Sequence, residues 1–361
     1  TPWLVPLEQR CLDLHNYLTD GFQVAILMYE RPDTSTFRYR GYNVEQALRN
    51  GSNQWKSVYF FRDEIWAIKS FVSLIDLLVI IRVQWTHTLN QLIVMAKSEG
   101  IPVAFDVDDL VFDINCLPLV TNTLNVSFIS EKDYEYWFSY ISRIEYTASL
   151  ADYFIATNCF LGDKLSSKFK KPYGVIPNFL NSEQNIISDR CLKIKNHRNS
   201  SGQFTIGYFS GTPSHINDFK VVYKELLQLL SDFSNMNLHV VGFMEFPPEM
   251  DYFIESRRVI FTPLVDFIEL QRLIAQVDVN IAPLVENEFT DCKSELKFFE
   301  AAIVNTINCV TPTKVYKECI LQNETGFLCK PGDWYDTIKN IYLGSFDNEG
   351  IRKKAYDYAI K

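Results

Sequence analysis

Residues 286–306, ENEFTDCKSELKFFEAAIVNT, carry Lys293, Lys297 and Glu300 at i, i+4 and i+7, beside Leu296, Phe299 and Ile303. On a helix starting near Cys292 the three charges share one face. A solvated stripe with a Lys297–Glu300 pair contributing about 0.2–0.5 kcal/mol is the plain reading of that spacing. The context adds chemistry. The stretch follows VDVNIAPL (277–284), which reads as a buried strand, and Thr290 or Asp291 is placed to cap the helix. Free amides at such a helix start, with the positive dipole end, would hold an anion. Glu300 would lie roughly 12 Å further along at 1.5 Å per residue. That span suits a nucleoside diphosphate, with phosphates at the helix start and ribose hydroxyls on the carboxylate.

Other residues with chemical potential are scattered more widely. DVDD places Asp106, Asp108 and Asp109 just after an apolar strand. Spaced carboxylates can bind Mg²⁺ or Mn²⁺, or simply cap the next turn. Arg38 and Arg40 follow the first strand in TSTFRYRGYNVEQALR (34–49). His87, in QWTHTL, opens a helix, where a structural histidine is the ordinary finding. KLSSKFKK (164–171) is a basic cluster, either solvated or turned to anionic lipid. Gly207 and Gly211 would permit close approach of a ligand to the backbone.

The elements that position these residues follow from patterning. Apolar, β-rich runs alternate with helical stretches: 22–29, 57–61, 77–83, 102–107, 152–157 and 173–177, then 204–209, 237–243, 258–263, 277–283, 306–310 and 326–329. Runs so continuously apolar are buried on both faces, as parallel strands are. Their alternation with helices predicts βαβ units. Residues 181–203 are polar and turn-rich, and 186–203 are read as an interdomain linker. The expected architecture is α/β, with two Rossmann-like doubly wound parallel sheets facing a cleft. Residues 1–185 form the first domain, 204–340 the second, and 341–361 a final helix packing back on the first. Ligands of such sheets bind beyond the carboxyl ends of the strands.

Composition narrows the function. The 361 residues suffice for two cores, and 47% are hydrophobic, so the chain is globular. A net charge of -9 argues against binding nucleic acid, which needs basic surface. Eight cysteines without a CxxC pair read as reduced thiols of a cytoplasmic protein. Asn-X-Ser/Thr triplets at Asn50, Asn125, Asn199 and Asn323 read as chance. The most apolar run, FVSLIDLLVIIRVQW, is interrupted by Asp76 and Arg82 and is too short to span a bilayer. A start at Thr1 suggests a segment of a longer protein or a processed terminus.

SELKFFEAAIVNTINCVTPT resembles the C-terminal signature of retaining GT-B glycosyltransferases of family 4. Glu300 matches the second glutamate of that family's E-x7-E motif. ETGFLCKPGD, GVIPNFLN (174–181), FTIGYFSGTPSHINDF and GIPVAFDVDDL (100–110) match further family stretches in order, over most of residues 20–340. The resemblance implies sugar transfer from a nucleotide-diphosphate sugar to a glycan or lipid-linked glycan in O-antigen, lipopolysaccharide or capsule assembly. It implies a cytoplasmic protein at the inner membrane face. No cofactor or metal is expected. Glu300 would bind the ribose, with Lys293, Ser294, Lys297, Gly211, Thr212, His215 and Leu264 around the donor. Asp108 and Asp109 stand where the family often has His-Asp, and would face the reacting centre. Arg38, Arg40 and His87 would lie on the acceptor side.

Departures from the family pattern are specific. Cys292 occupies the place of the first motif glutamate, so Glu295 is expected to substitute for it or backbone amides to bind the sugar. The loop after Gly211 offers Ser210, Thr212, Ser214, His215 and Asp218 where the family usually has Arg and Lys. Two other classes fit the residues: a non-catalytic GT-B module that binds nucleotide or glycan, and a GT-B epimerase or phosphorylase, the latter lacking a convincing lysine context.

Overall fold

The computed structural model describes residues 1–32, 36–124, 130–196, 202–211 and 216–361. Contacts divide the chain into two compact units. The first takes the chain up to Asn181 apart from a short excursion after Asn122, and also Cys292–Ser294; the second holds Ser182–Asp291 and Glu295–Lys361.

The first unit is built on a six-stranded parallel sheet in the order β2-β1-β3-β4-β5-β6. Its strands are β1 (Gln23–Tyr29), β2 (Trp55–Phe61), β3 (Leu77–Ile81), β4 (Val103–Val107), β5 (Tyr153–Ala156) and β6 (Tyr173–Val175). Every residue of β4 is buried, as expected for a strand covered by helices on both faces. The strand order reverses between β1 and β3, so the ligand-binding crevice of such a sheet lies beyond their carboxyl ends.

The second unit has the sheet β12-β11-β10-β7-β8-β9. Its strands are β7 (Phe204–Ser210), β8 (Met236–Gly242), β9 (Val259–Pro263), β10 (Val279–Ala282), β11 (Ile307–Val310) and β12 (Phe327–Leu328). This is the dinucleotide-binding strand order, with its switch point between β7 and β10. One core joins Ile206 and Tyr208 of β7, Leu238 and Val240 of β8, Ile281 of β10 and the buried Trp334. All twelve expected apolar runs are strands, most of them a residue or two shorter than their apolar run.

Two expectations about organisation change. The stretch expected as a polar linker is mostly the helix Ser182–Asn196, which packs on helix Phe267–Gln276 within the second unit. Its buried face is Gln184, Ile187, Ser188 and Cys191, a helical i, i+3, i+4, i+7 set. Two of those four side chains are polar, which hid the helix from a reading based on hydropathy. Residues 197–201 of that stretch lie outside the described residues. The final helix, Asn348–Ala359, packs on helix Leu296–Ala302 and β11, with Tyr358 edge-on to Phe298 at 5.7 Å. It therefore belongs to the second unit.

Candidate functional site

The charged segment of 286–306 is not one helix from Cys292. A short turn of helix, Glu288–Asp291, is followed by a loop, and the next helix is Leu296–Ala302. Its N-cap is Glu295, which makes no capping side-chain bond. The expected caps are used elsewhere: Thr290 Oγ1 donates to the Val285 carbonyl at 2.6 Å, and Asp291 accepts from the Lys314 amide at 2.9 Å. Lys293 and Ser294 thus leave the face that holds Lys297 and Glu300. With Cys292 they group with the first unit, where Asn158 Nδ2 donates to the Cys292 carbonyl at 3.2 Å and Asn178 Nδ2 to Ser294 Oγ at 3.0 Å. A seven-residue helix also carries too little dipole to serve as the anion site expected there.

What the second unit does hold firmly is Glu300. Its side chain is buried, and Gln184 Nε2 donates to Oε1 at 3.4 Å. Three buried amides fix the helix beneath it. Asn280 Nδ2 of β10 donates to the Lys297 carbonyl at 3.2 Å, Asn308 Nδ2 of β11 to the Phe298 carbonyl at 3.1 Å, and Gln271 Nε2 to the Glu300 carbonyl at 2.7 Å. Asn280 and Asn308 are register partners and bond to each other at 2.8 Å. Carbonyls in a helix's last turn lack intrahelical donors, so the Gln271 bond also satisfies an otherwise orphaned acceptor. Asn305, at φ 53°, then takes the left-handed position that ends the helix.

Around Glu300 the expected residues fare differently. Lys297 stays with it, its ammonium 5.4 Å from the Tyr208 ring centre. Glu295 is half-buried at the helix start, and its charge helps push up the thiol of Cys319, after burial. Gly211 is exposed with open space around it. Leu264 is exposed just after β9. Thr212 and His215 lie outside the described residues. Gly207 is a packing glycine and not a point of ligand approach: a Cβ there would meet the Phe209 ring at 2.7 Å and Val277 at 2.8 Å. At the switch point Asp218, buried, accepts from the Val285 amide at 2.9 Å.

The first unit gathers a second cluster at the carboxyl ends of β3 and β4. Arg82, directly after β3, sits in the left-handed region at φ 49°, a strained conformation for arginine. Its Nη1 donates to Asp108 at 2.9 Å and reaches Asp109 at 3.4 Å, and its Nε donates to the Tyr140 hydroxyl at 2.9 Å. Thr36 Oγ1 donates to the other Asp108 oxygen at 2.7 Å. Burial alone would raise the Asp108 carboxyl, but the Arg82 charge and the hydrogen bonds from Thr36 and Arg82 outweigh it and hold it below the usual range. The same contacts favour the charged form of Asp108. Lys293 approaches Asp109 at 3.6 Å.

Arg40 is not a cleft-lining cation. It is fully buried and forms a bidentate pair with Asp106, at 2.8 and 2.7 Å, and a further bond to the Ile176 carbonyl. Burial, only partly offset by Arg40, pushes the Asp106 carboxyl up. Arg38 is buried too, its guanidinium 4.2 Å from the Tyr39 ring centre. Both lie in a π-helical turn, Arg38–Tyr42, rather than an open loop. His87 is exposed in the first turn of helix His87–Ser98 and pairs with Gln91 at 3.1 Å. Arg82 was missed by sequence reasoning. The signal available was an arginine at the end of an otherwise apolar strand run.

Among the described residues, no three His, Cys, Asp or Glu side chains are grouped to hold a metal. None of the described helices is long and apolar enough to cross a membrane. In the basic cluster, Lys168 pairs with Asp113 at 2.7 Å and Glu145 at 2.9 Å, and Lys171 donates to the Ser149 and Ala151 carbonyls. Those two lysines are held by the protein rather than offered to lipid.

The architecture matches solved structures across nearly its whole length. Anabaena Alr3699/HepE in complex with UDP superposes with a TM-score of 0.60 at 12% identity, over 94% of each chain. Apo OtsA gives 0.55 at 9% identity, over 94% of this chain and 95% of that one. The S. aureus MnaA–UDP structure gives 0.51 at 12% identity, over 93% and 92%. At such identities the likeness is one of fold, and the fold is GT-B. Residues 203–343, most of the second unit, match the family model of glycosyl transferases group 1. No curated protein matches the chain in sequence.

Proposed function

We propose that the chain is a glycosyltransferase that moves a sugar from a UDP-sugar to a hydroxyl of a glycan or lipid-linked glycan. The observation that carries this reading is Glu300, a buried carboxylate on a helix whose carbonyls three buried amides hold, in the part of the chain that matches the group 1 family model. An ionised carboxylate accepts hydrogen bonds through two oxygens, and vicinal ribose hydroxyls supply two donors. UDP is favoured as the nucleotide because structures of similar fold bind it. Transfer is proposed to retain anomeric configuration, in the assembly of surface polysaccharide such as O-antigen or capsule. The acceptor hydroxyl then attacks the anomeric carbon on the face the diphosphate leaves, and its proton passes to the departing phosphate oxygen. Asp108, held by Arg82 and Thr36 beyond the ends of β3 and β4, is proposed to face that centre.

The diphosphate is proposed to be held without a metal. The DVDD carboxylates are engaged by guanidinium groups, Asp106 by Arg40 and Asp108 by Arg82. Activity should survive EDTA; abolition by EDTA with rescue by Mn²⁺ sinks this point.

The non-catalytic alternative draws on Cys292, which stands in place of a motif glutamate and is fully buried. UDP release separates the two. Incubation with UDP-glucose, UDP-galactose and their N-acetylated forms should liberate UDP from at least one. Binding of UDP without release from any would favour the binding module.

A further inference from the structure

Helix Glu131–Leu150 opens with an aromatic sequence that its own core does not use. Its buried residues are Ile141, Ile144, Thr147 and Ala148, all in its C-terminal half. Towards the other end Tyr136 is 61% exposed and Phe138 52%. Tyr136 lies flat against Tyr140, with centroids 6.1 Å apart and planes at 16°, and Trp137 meets Tyr140 edge-on at 5.6 Å. Tyr140 in turn accepts the Arg82 hydrogen bond, and Arg82 holds Asp108. A row of rings therefore runs from the surface to the carboxylate cluster at the carboxyl ends of β3 and β4.

We propose that this row is a stacking platform for the pyranose rings of a glycan acceptor, leading its hydroxyl toward Asp108. The proposal rests on the glycosyl-transfer reading and specifies its acceptor. A pyranose has a flat C–H face and a rim of hydroxyls. Tyrosine and tryptophan offer large rigid apolar faces with little entropy to lose on binding. The helix start carries Glu131, Asp133 and Glu135, and Asp133, one turn before Tyr136 on the same face, is an acceptor suited to the hydroxyl rim. The same charges, against a single Lys132, disfavour an anionic lipid surface as the occupant. Asp133 also takes part in capping the helix with Ser130.

The test uses the full chain and calorimetric titration with maltohexaose, cellohexaose, mannohexaose and chitohexaose. At least one should bind. Tyr136→Ala should weaken that binding about tenfold, the size of loss typical when an exposed aromatic anchor is truncated, while Tyr136→Phe, which keeps the ring, binds as the unaltered chain does. Tyr136 is largely exposed, so both variants are expected to fold, and UDP-induced thermal stabilisation should be unchanged in each. The platform is overturned if no hexasaccharide binds, if Tyr136→Ala binds equally well, or if Tyr136-dependent binding is found instead to phosphatidylglycerol vesicles. Failure of UDP to stabilise the unaltered chain would count against glycosyl transfer itself, and is read independently of the hexasaccharides.

Discussion

At the scale of single residues, the charges that matter are those whose partners fix them. Asp108 was legible as a carboxylate beyond a strand; its grip on Arg82 was not, because the two are joined only when β3 and β4 lie side by side. Arg40 shows the opposite error. It reads as a loop cation and is in fact spent on Asp106 inside the protein. Asp108→Asn should destabilise the fold by about 1–3 kcal/mol, since it removes the closer of the two carboxylates that pair with the largely buried Arg82. The pH dependence has a definite sign. The Asp108 carboxyl is lower in the folded than in the unfolded chain, so the folded state binds fewer protons and gains stability above the unfolded value of about 3.9. That gain is lost as pH falls through the depressed folded value. Thermal melts of the two proteins should keep a constant gap from pH 7 to pH 5 and converge in more acid solution. A gap that widens on acidification would contradict the ion pair.

At the scale of elements, the strands were legible because parallel strands buried on both faces are apolar throughout. The helix start was not. Lys293, Lys297 and Glu300 have helical spacing, yet Asn158 and Asn178, more than a hundred residues earlier, hold Cys292 and Ser294 in a loop. Contacts of that sequence separation leave no local pattern. The buried Asn280 and Asn308 were visible within apolar strands, and their purpose appears only once the helix is seen to rest on them. Asn280→Ala should cost about 1–3 kcal/mol by removing its bonds to Asn308 and the Lys297 carbonyl. It should weaken UDP binding as well, and denaturant unfolding beside a UDP titration checks both. A stable variant with full UDP affinity would show that the amide clamp does not position Glu300. Gly242 is a second such device. At φ 112°, its missing Cβ would lie 1.7 Å from the Ser210 carbonyl oxygen, where β8 ends beside β7. Gly242→Ala should therefore lose about 3 kcal/mol or more, seen as a large fall in melting temperature.

At the scale of the whole molecule, two parallel sheets of six strands each carry a switch point, and the first unit has a charged cluster beyond the ends of β3 and β4. Class of fold followed from the alternation of apolar runs and helices; the choice of nucleotide did not, since base recognition leaves no spacing in the sequence. UDP should stabilise the protein by mass action, by about 2.7 kcal/mol at a hundred times its Kd.

The most direct measurement is a calorimetric titration of UDP into the chain and into Glu300→Ala. A carboxylate accepting two ribose hydroxyls contributes roughly 2–4 kcal/mol. The unaltered chain should bind UDP, and the variant, with its fold verified by circular dichroism, should bind at least tenfold more weakly. UDP affinity unchanged by Glu300→Ala, or no UDP binding by the unaltered chain, would contradict the account.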